Sequence, residues 1–323
     1  MAAEPTTLDP DLERELESHR RELTGYCYRM LGSGSEAEDA VQETLVRAWK
    51  AFDRFEGRSS VRSWLYRIAT NVCVDMLRGP QRRARPMDLG ASSTVASAVL
   101  RPQPENTFVQ PIADGRVIAT DGDPAEVAAA RESIRLAFVA ALQHLPARQR
   151  AVLILCEVLR WQAAEVAELL DTSVASVNSA LQRARATLAS IEVDRLDTTV
   201  DPEHEALLAR YVDAFERYDM TALAALLRDD VVISMPPHDL WLQGPDEVIG
   251  WMVGPGHGCA GSKLIPVDVN GTAGFASYKP ATPGRWDPWA IQVIEVKDGR
   301  ISGHHNFLYP GLFAELGLPP RLD

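Results

Sequence analysis

The sequence predicts two all-α domains followed by an α+β domain. Apolar residues recur at helical spacing over residues 11–80 and again over 126–190, which predicts two helical domains. The intervening residues 81–125 are rich in proline and small polar residues and lack periodicity, which is typical of a linker. After residue 200 a further helix precedes segments in which the apolar period shortens to two, so an α+β domain is predicted over residues 200–318.

The charge of the chain bounds the kinds of partner that it can bind. Its 323 residues include 45 acidic and 33 basic side chains, for a net charge of −12. This excess of negative charge argues against non-specific coating of DNA. Arg78, Arg82, Arg83 and Arg85 make a local basic run, and Arg183 and Arg185 recur further on. An acidic body with confined basic patches suits a protein that needs a partner to hold it on DNA.

Hydropathy and cysteine spacing predict a cytoplasmic protein without a metal or cofactor. No apolar run approaches the roughly 20 residues of a membrane helix, and the N-terminus lacks a signal-peptide core. We therefore expect no membrane segment. The four cysteines are scattered and form neither a CxxC pair nor a Cys/His cluster. This spacing favours buried thiols over disulfides or zinc ligands.

Three helices are predicted in the first domain. The first covers residues 11–31 and ends at Gly32, the second covers 36–51, and the third covers 61–77. A polar loop around Gly57 separates the second helix, whose outer face is acidic, from the third, whose outer face is basic. Such charged faces are most often simply solvated, but this pair also suits a protein partner on the acidic side and a nucleic acid on the basic side.

A resemblance makes this prediction specific. The segments AEDAVQETLVRAWK, F-x-G-x-S and WLYRIATNVCVDMLR resemble the second conserved region of the extracytoplasmic-function group of sigma-70 factors. The resemblance implies that the helix Asp39–Trp49 docks on the clamp of core RNA polymerase. It also implies that the Phe55–Asn71 segment melts the promoter −10 element and captures its unpaired strand. The polymerase-binding candidates are Asp39, Gln42, Glu43, Arg47 and Trp49, and the −10 candidates are Phe55, Arg58, Ser59, Arg62, Trp64, Arg67, Asn71 and Arg78.

The second helical domain contains a predicted helix-turn-helix. One helix ends at Asp171, and a second follows Ser173 with Val174, Val177 and Leu181 on its inner face. The lead-in LPARQRAVLIL and the closing QRARATL resemble the fourth region of sigma factors, which implies recognition of the −35 element in the major groove. The −35 candidates are Ser173, Ser176, Asn178, Ser179, Gln182, Arg183 and Arg185.

The recognition helix departs from its relatives in one respect. Asn178 and Ala180 stand where many relatives place arginines, so no −35 sequence carries over to this chain. Asn178 and Gln182 are suited to pair with adenine edges. For the linker the resemblance implies a path toward the RNA exit and active-site channel of polymerase, and a passive tether is the alternative.

The last domain is predicted to be a curled antiparallel sheet preceded by a helix. Strands are expected at residues 231–233, 264–269, 274–278, 290–296 and 301–308, with turns at Asn270–Gly271 and Asp298–Gly299. This order resembles the SnoaL-like members of the nuclear-transport-factor-2-like (NTF2-like) cone fold, which a subset of sigma factors carries at the C-terminus.

The role of the last domain is left open between an interaction or ligand-sensing domain, a catalytic domain and a domain that only stabilises the linker. Asp229, Asp230, His238, Asp239, His257, His304 and His305 are candidates for acid/base chemistry, and Trp241, Trp251, Trp286 and Trp289 for a pocket lining. General acid/base catalysis needs convergent groups, which sequence does not establish, so we predict no catalytic residue. In a strand His304 and His305 point to opposite faces. We expect a domain that modulates the sigma factor through a small-molecule ligand or an intramolecular partner. The rival functions are a stand-alone helix-turn-helix regulator and a SnoaL-like enzyme with a helical appendage.

Overall fold

The computed structural model describes residues 10–57, 59–78, 83–119, 123–191 and 202–323. Four helices form the first domain: α1 Pro10–Ser18, α2 Arg20–Leu31, α3 Gly34–Ala51 and α4 Val61–Met76. Its core includes Tyr26 and Tyr66, whose rings meet edge to face at 5.2 Å. The Tyr26 hydroxyl donates to Thr70 Oγ1 at 2.7 Å, which ties α2 to α4.

The prediction of a single helix over residues 11–31 is wrong, because the helix is interrupted between Ser18 and Arg20. Ser18 Oγ donates to the carbonyl of Glu15 at 2.6 Å, a local bond that competes with continuation of the helix. The predicted stop at Gly32 is confirmed. Gly32 adopts φ 75°, and its N–H donates to the carbonyl of Tyr28 at 2.7 Å.

The linker is packed rather than loose over residues 83–119. It contains one short helix, α5 Pro86–Leu89, and two 3-10 turns at Glu105–Thr107 and Asp114–Arg116. Five of its apolar side chains are buried although they follow no period; they are Phe108, Val109, Ile112, Val117 and Ile118. Isolated bridges join it to the last domain at Ser93–Leu242, Pro102–His238 and Ala113–Val269. A passive tether does not explain this burial.

Asp114 in the linker makes stability depend on pH. It is 7% exposed and accepts a hydrogen bond from Gly271 N–H at 2.8 Å. Burial raises the pKa of this carboxyl to about 6. Folding therefore favours the neutral carboxyl over the carboxylate. The contribution of Asp114 to the stability of the fold is complete below pH 3.8 and is lost as the pH rises through 6. Replacing Asp114 with Asn keeps the acceptor oxygen and removes the charge.

We expect Asp114→Asn to raise the free energy of unfolding at pH 7.5 by about 2–3 kcal/mol. The gain should shrink as the pH falls through 6 and disappear below 4, as chemical denaturation at several pH values would measure. Asp53→Asn, at an exposed position, is the control and should change stability little at any pH. A gain that is independent of pH would show that burial of this charge is not its cause.

The second helical domain has five helices that pack against the first. They are α6 Pro124–Glu132, α7 Leu136–Gln143, α8 Ala147–Leu153, α9 Ala163–Leu169 and α10 Val174–Ala189, and one π turn, Ile154–Val158, extends α8. Between α6 and α7, Ser133 Oγ accepts a bond of 2.6 Å from Arg29 Nη2 of the first domain. The buried Arg150 of α8 donates to the carbonyl of Met30. The two helical domains therefore share a core.

The last domain has a six-stranded sheet with helices on both of its faces. The helices are α11 Pro202–Glu216, α12 Met220–Ala224, α13 Pro245–Val253 and α14 Gly311–Glu315. The strands are β1 Leu227–Ser234, β2 Trp241–Gln243, β3 Lys263–Val269, β4 Thr272–Thr282, β5 Arg285–Lys297 and β6 Arg300–Phe307. Their order is β2-β1-β6-β5-β4-β3. Helices α11, α12 and α13 lie on one face of the sheet, and α14 lies against the other. This architecture confirms the predicted fold class.

The sheet differs from the prediction in two details. It is mixed rather than antiparallel, because β6 returns beside β1 in the same direction. The short strand β2 was not predicted, since three residues give too little alternation to recognise. One face of the sheet, with Phe275 and Ile294, packs on the helices of its own domain, and the other, with Val293 and Phe307, joins the core of the helical domains. In the described part of the chain no helix is both long and apolar enough to cross a membrane.

Candidate nucleic-acid and partner interface

The acidic face of α3 is open to solvent. Asp39, Gln42, Glu43 and Arg47 are exposed and Trp49 is half-buried, while Ala40, Val41, Thr44, Leu45 and Ala48 on the opposite side are buried. Glu43 and Arg47 form an ion pair of 2.6 Å one helical turn apart. The structure thus brings the five polymerase-binding candidates together on one helix.

The N-terminus of α3 is anchored to the linker. Ser33 caps the helix by accepting a hydrogen bond from Glu36 N–H, and its hydroxyl donates to Gln110 Oε1 at 2.7 Å. Arg83 pairs with Glu36 at 2.6 Å, and Arg116 with Glu38 at 2.5 Å. These contacts fix the direction of α3, and they involve its N-terminal residues up to Glu38 rather than the exposed residues from Asp39 onward.

Three aromatic rings cluster at the start of α4. The rings of Phe55 and Trp64 lie 4.8 Å apart, and Phe52 stacks 6.0 Å from Phe55. All three are half-buried. Phe52 was not among the sequence candidates, although its spacing from Phe55 was available as a signal. Such a cluster offers ring faces on which an unpaired base can stack.

The basic residues of α4 are partly engaged by the second helical domain. Arg62 pairs with Glu22 at 2.7 Å, and its guanidinium lies 5.1 Å from the ring centroid of Trp161. Arg67 Nη2 donates to the carbonyl of Glu168 at 3.0 Å. These contacts cover part of the face that the sequence assigns to the −10 strand.

The remaining −10 candidates are spread around this face. Asn71 is exposed and lines a groove of about 690 Å³ together with Arg67, Arg148 and Thr172. Arg78 pairs with Asp75 at 3.0 Å beyond the end of α4, and Ser59 is half-buried before Ser60, which caps α4. Arg58 lies outside the described residues, as does Arg82 of the basic run.

The predicted helix-turn-helix consists of α9 and α10. Ser173 caps α10 by accepting a hydrogen bond from Ser176 N–H at 3.2 Å, and Val177 and Ala184 hold the helix on its inner side. Arg185 pairs with Glu157, so this arginine must exchange one partner for another if it contacts DNA. The candidates on the outer side are all exposed; they are Ser173, Ser176, Asn178, Ser179, Gln182, Arg183 and Arg185.

The acid/base candidates of the last domain are dispersed. His304 Nε2 lies 3.1 Å from the Tyr211 hydroxyl on the face covered by α11, and burial lowers the pKa of His304 to about 3, so it is neutral. His305 lies on the opposite face, 2.8 Å from Ser234 Oγ and 3.3 Å from Glu295 Oε2. The predicted split of the two histidines is therefore confirmed.

The other polar candidates of this domain have separate partners. Asp230 pairs with Arg228 at 2.8 Å, and Asp239 accepts a bond of 3.2 Å from Gln103 in the linker. The indole N–H groups of Trp241 and Trp286 donate to the carbonyls of Gly90 and Gly261. These side chains serve distinct contacts rather than one reaction centre.

Comparisons with known proteins agree with this architecture. Family models match in three places: sigma-70 region 2 at residues 16–83, sigma-70 region 4 at 135–188 and the SnoaL-like domain at 208–304. The chain is similar to the ECF RNA polymerase sigma factor SigG of Mycobacterium tuberculosis, with 43% identity over 317 residues, 97% of this chain and 85% of that protein.

Similarity also extends to a second sigma factor of that organism. SigJ is 27% identical over 321 residues, which is 95% of both chains. The crystal structure of SigJ matches with a TM-score of 0.61 and 25% identity, over 95% of this chain and all of the other. The three-part arrangement is thus found in a solved relative.

Proposed function

This chain belongs to the extracytoplasmic-function (ECF) sigma factors of bacterial RNA polymerase, and on that premise we propose which of its surfaces perform each step of initiation. As a member of this family it binds core RNA polymerase and promoter DNA, directs promoter-specific transcription, and is not an enzyme. Its place of action is with polymerase in the cytoplasm.

The acidic face of α3 docks on core polymerase. This proposal is supported by the exposure of Asp39, Gln42, Glu43 and Arg47 on one side of the helix. The linker contacts the N-terminal end of α3 and leaves these side chains open. Charged groups at a rim set the encounter rate and the orientation of two partners. Trp49 adds a half-buried aromatic anchor at the end of this face.

The start of α4 captures the unpaired −10 strand. Phe55 and Trp64 provide stacking surfaces, and Arg62 is at the start of the following helix. Arg67 and Asn71, one turn apart on that helix, are exposed. Ser59 precedes this helix and Arg78 follows it, and both are included in the proposed strand-binding region. Since Arg62 and Arg67 now contact Trp161 and Glu168, the second helical domain must move away before a strand reaches them.

The exposed side of α10 enters the major groove at the −35 element. A helix that follows a tight turn and presents polar side chains is the part of a helix-turn-helix that contacts base edges. Asn178 and Gln182 make the base contacts, and Arg183 and Arg185 contact phosphates. The exposure of all seven candidates along this one helix is the observation that carries the assignment.

We expect replacement of Arg183 and Arg185 by alanine to weaken binding of the holoenzyme to its promoter by about tenfold or more. The loss of two phosphate contacts should flatten the slope of log K against log salt by up to about 2. Titration at several salt concentrations measures both effects. Arg210→Ala with Arg217→Ala removes two exposed arginines, one on α11 and one directly after it, and should leave the slope unchanged. An unchanged slope in the α10 variant would place its arginines away from DNA.

The C-terminal domain modulates the sigma factor through contacts within the chain. The outer face of its sheet shares a core with the helical domains, and its surface pairs with the linker at three bridges. These contacts support an intramolecular partner. A small-molecule ligand of this domain stays a prediction, since the polar groups inside the cone, Tyr211, Gln292 and His304, hydrogen-bond to one another.

Copurification with core RNA polymerase, followed by run-off transcription on a genomic promoter library, tests the whole assignment. We expect specific transcripts whose promoters share two spaced elements. A stand-alone helix-turn-helix regulator would bind duplex DNA tightly without polymerase. A SnoaL-like enzyme would turn over a small molecule after deletion of residues 1–190. Identity of 43% over 97% of the chain to a sigma factor favours neither rival.

A further inference from the structure

Glu22 gathers three side chains of the first helical domain around its carboxylate. It is half-buried in the first turn of α2. Its Oε2 accepts from Arg62 Nε at 2.7 Å and from the Tyr66 hydroxyl at 3.3 Å, and its Oε1 lies 2.6 Å from His19 Nδ1. Because both oxygens are engaged, the rotation of the carboxylate is fixed as well as its position.

The guanidinium of Arg62 is held by more than this ion pair. Arg62 lies one helical turn before Tyr66 on α4, and its guanidinium carbon is 5.3 Å from the centroid of the Tyr66 ring. Tyr66 is itself buried, with its ring edge to face against Tyr26. An exposed ion pair is usually weak, because holding two long side chains in one geometry costs entropy. Here a carboxylate on one side and a buried ring on the other give Arg62 a preferred orientation.

The hydrogen bond to Glu22 is made through the inner nitrogen of the Arg62 guanidinium. Nε is the donor, so this bond leaves the two terminal nitrogens, Nη1 and Nη2, to other partners. The fork of donors at that end of a guanidinium matches two oxygens of one phosphate. Arg62 is therefore suited to bind a phosphate while it stays paired with Glu22.

The contacts of Glu22 do not depend on the second helical domain. His19, Glu22, Arg62 and Tyr66 all belong to the first helical domain. Trp161, the other aromatic neighbour of Arg62, belongs to the second. The Glu22–Arg62 pair should therefore persist after the second helical domain has moved away from α4.

Arg62 and Trp64 lie in the same first turn of α4 but on different sides of it. Because they are two residues apart in an α-helix, their side chains are about 200° apart around its axis. The contacts agree, since Trp64 packs on Phe55 of the preceding loop and Arg62 on Tyr66. A strand whose base stacks on the rings of Phe55 and Trp64 therefore crosses the N-terminal end of α4 before its backbone meets Arg62.

We propose that Glu22 is a positioning residue for capture of the −10 strand: it holds the Arg62 guanidinium so that Nη1 and Nη2 bind a backbone phosphate of that strand. The proposal deepens the function proposed for α4 and rests on it. Glu22 does not touch the strand, and its negative charge repels a phosphate. The orientation that it gives to Arg62 must outweigh this repulsion, and a suitable pair of variants separates the two effects.

The test compares two substitutions that remove the same charge. Glu22→Gln keeps an acceptor oxygen for Arg62 Nε, whereas Glu22→Leu replaces it with an apolar side chain of similar size. Glu17→Gln and Glu17→Leu are the matched controls, because Glu17 makes the same kind of ion pair on α1, with Arg20 at 2.6 Å. Each variant is made as the full chain and assembled with core polymerase.

The measurement is binding of each holoenzyme to a fork-junction DNA at several salt concentrations. The −10 strand of this DNA is unpaired and comes from a promoter identified by run-off transcription. We expect Glu22→Leu to bind about tenfold more weakly than Glu22→Gln. Its slope of log K against log salt should be smaller by up to about 0.7, the value for one phosphate contact on a single strand. The two Glu17 variants should bind alike, and affinity for core polymerase should be the same for every variant.

A double-mutant cycle with Arg62→Ala shows whether Glu22 acts through Arg62. In the Arg62→Ala background, Glu22→Leu and Glu22→Gln should bind the fork-junction DNA equally. A difference that persists there would assign Glu22 a structural role and overturn the proposal. Circular dichroism checks that each variant is folded, and if Glu22→Leu does not fold, Glu22→Ala takes its place against Glu22→Gln.

Two further results would count against the positioning role. Equal binding by Glu22→Leu and Glu22→Gln with Arg62 present would show that the acceptor oxygen is not needed. Tighter binding by Glu22→Leu would make the carboxylate a competitor of the phosphate. Failure of the proposed function gives a different pattern, in which Arg62→Ala alone binds the fork-junction DNA like the wild type. Arg62 would then not contact the strand, and the proposal would fall with the function.

Discussion

Reversing the charge of Asp39 and Glu43 to lysine is expected to lower the affinity for core RNA polymerase at least 100-fold. The double change shifts the charge of one exposed helix face by four units. Close charge pairs across an interface couple by about 1.5 kcal/mol or more, and about 2.8 kcal/mol corresponds to 100-fold in affinity. Both side chains point away from the buried residues Ala40, Val41 and Thr44, so α3 should remain folded.

The control for this experiment must separate the position of the charge from its amount. Glu126→Lys with Glu132→Lys makes the same change of four units on α6, where both side chains are exposed. We expect this control to bind core polymerase with nearly wild-type affinity. The Glu43–Arg47 pair that the variant loses is worth only about 0.3–0.5 kcal/mol. Equal affinity of both double variants and the wild type would move the docking site away from α3.

Local periodicity was enough to predict most helices and strands. The expected helices at 36–51 and 61–77 correspond to Gly34–Ala51 and Val61–Met76, and the strand at 264–269 corresponds to Lys263–Val269. In each case one side of the element is buried and the other exposed, which gives the pattern its period. The break in the first helix was missed because a serine bonding to its own backbone leaves apolar spacing unchanged.

Contacts between the three parts could not be predicted in this way. The Asn270–Gly271 and Asp298–Gly299 turns have nearly identical local signals, yet Asn270 is buried and Gly271 half-buried, whereas both residues of the second turn are exposed. What separates them is a partner 242 residues away in the sequence, Tyr28, about which the turn itself carries no information. The apolar linker residues Val109 and Ile112 are likewise buried in a core shared with other domains, and they follow no helical period.

For the candidate interfaces, too, the exposure set by a single helix was predictable, whereas contacts with a second domain were not. All seven residues of α10 and four of five on α3 are exposed as their helical phase predicts, because each face depends on one helix. The phase of α4 placed Arg62 and Arg67 on its outer side, and the resemblance implied that they contact DNA. Their present contacts with Trp161 and Glu168 depend on where a second domain lies, which the phase of α4 does not determine.

Phe55→Ala is expected to reduce capture of the −10 strand by the holoenzyme 10- to 100-fold. Stacking of one unpaired base on an aromatic ring is worth about 1–3 kcal/mol. Without the Phe55 ring, the cluster retains only Phe52 and Trp64, whose ring centroids lie 6.3 Å apart. Phe55 is only half-buried and belongs to a loop, so the helices of the first domain should stay folded. Affinity for core polymerase should not change, since Phe55 lies outside the acidic face of α3.

Two further substitutions at this position separate stacking from simple apolar contact. Phe55→Tyr keeps a ring face and should behave like the wild type, whereas Phe55→Leu keeps an apolar side chain without a ring and should behave like alanine. Fluorescence of 2-aminopurine in the −10 element reports capture on duplex and on pre-opened promoter. Because base capture itself is lost, we expect the alanine variant to be defective on both templates. Full recovery on the pre-opened template would mean that Phe55 acts in melting and does not hold the captured base.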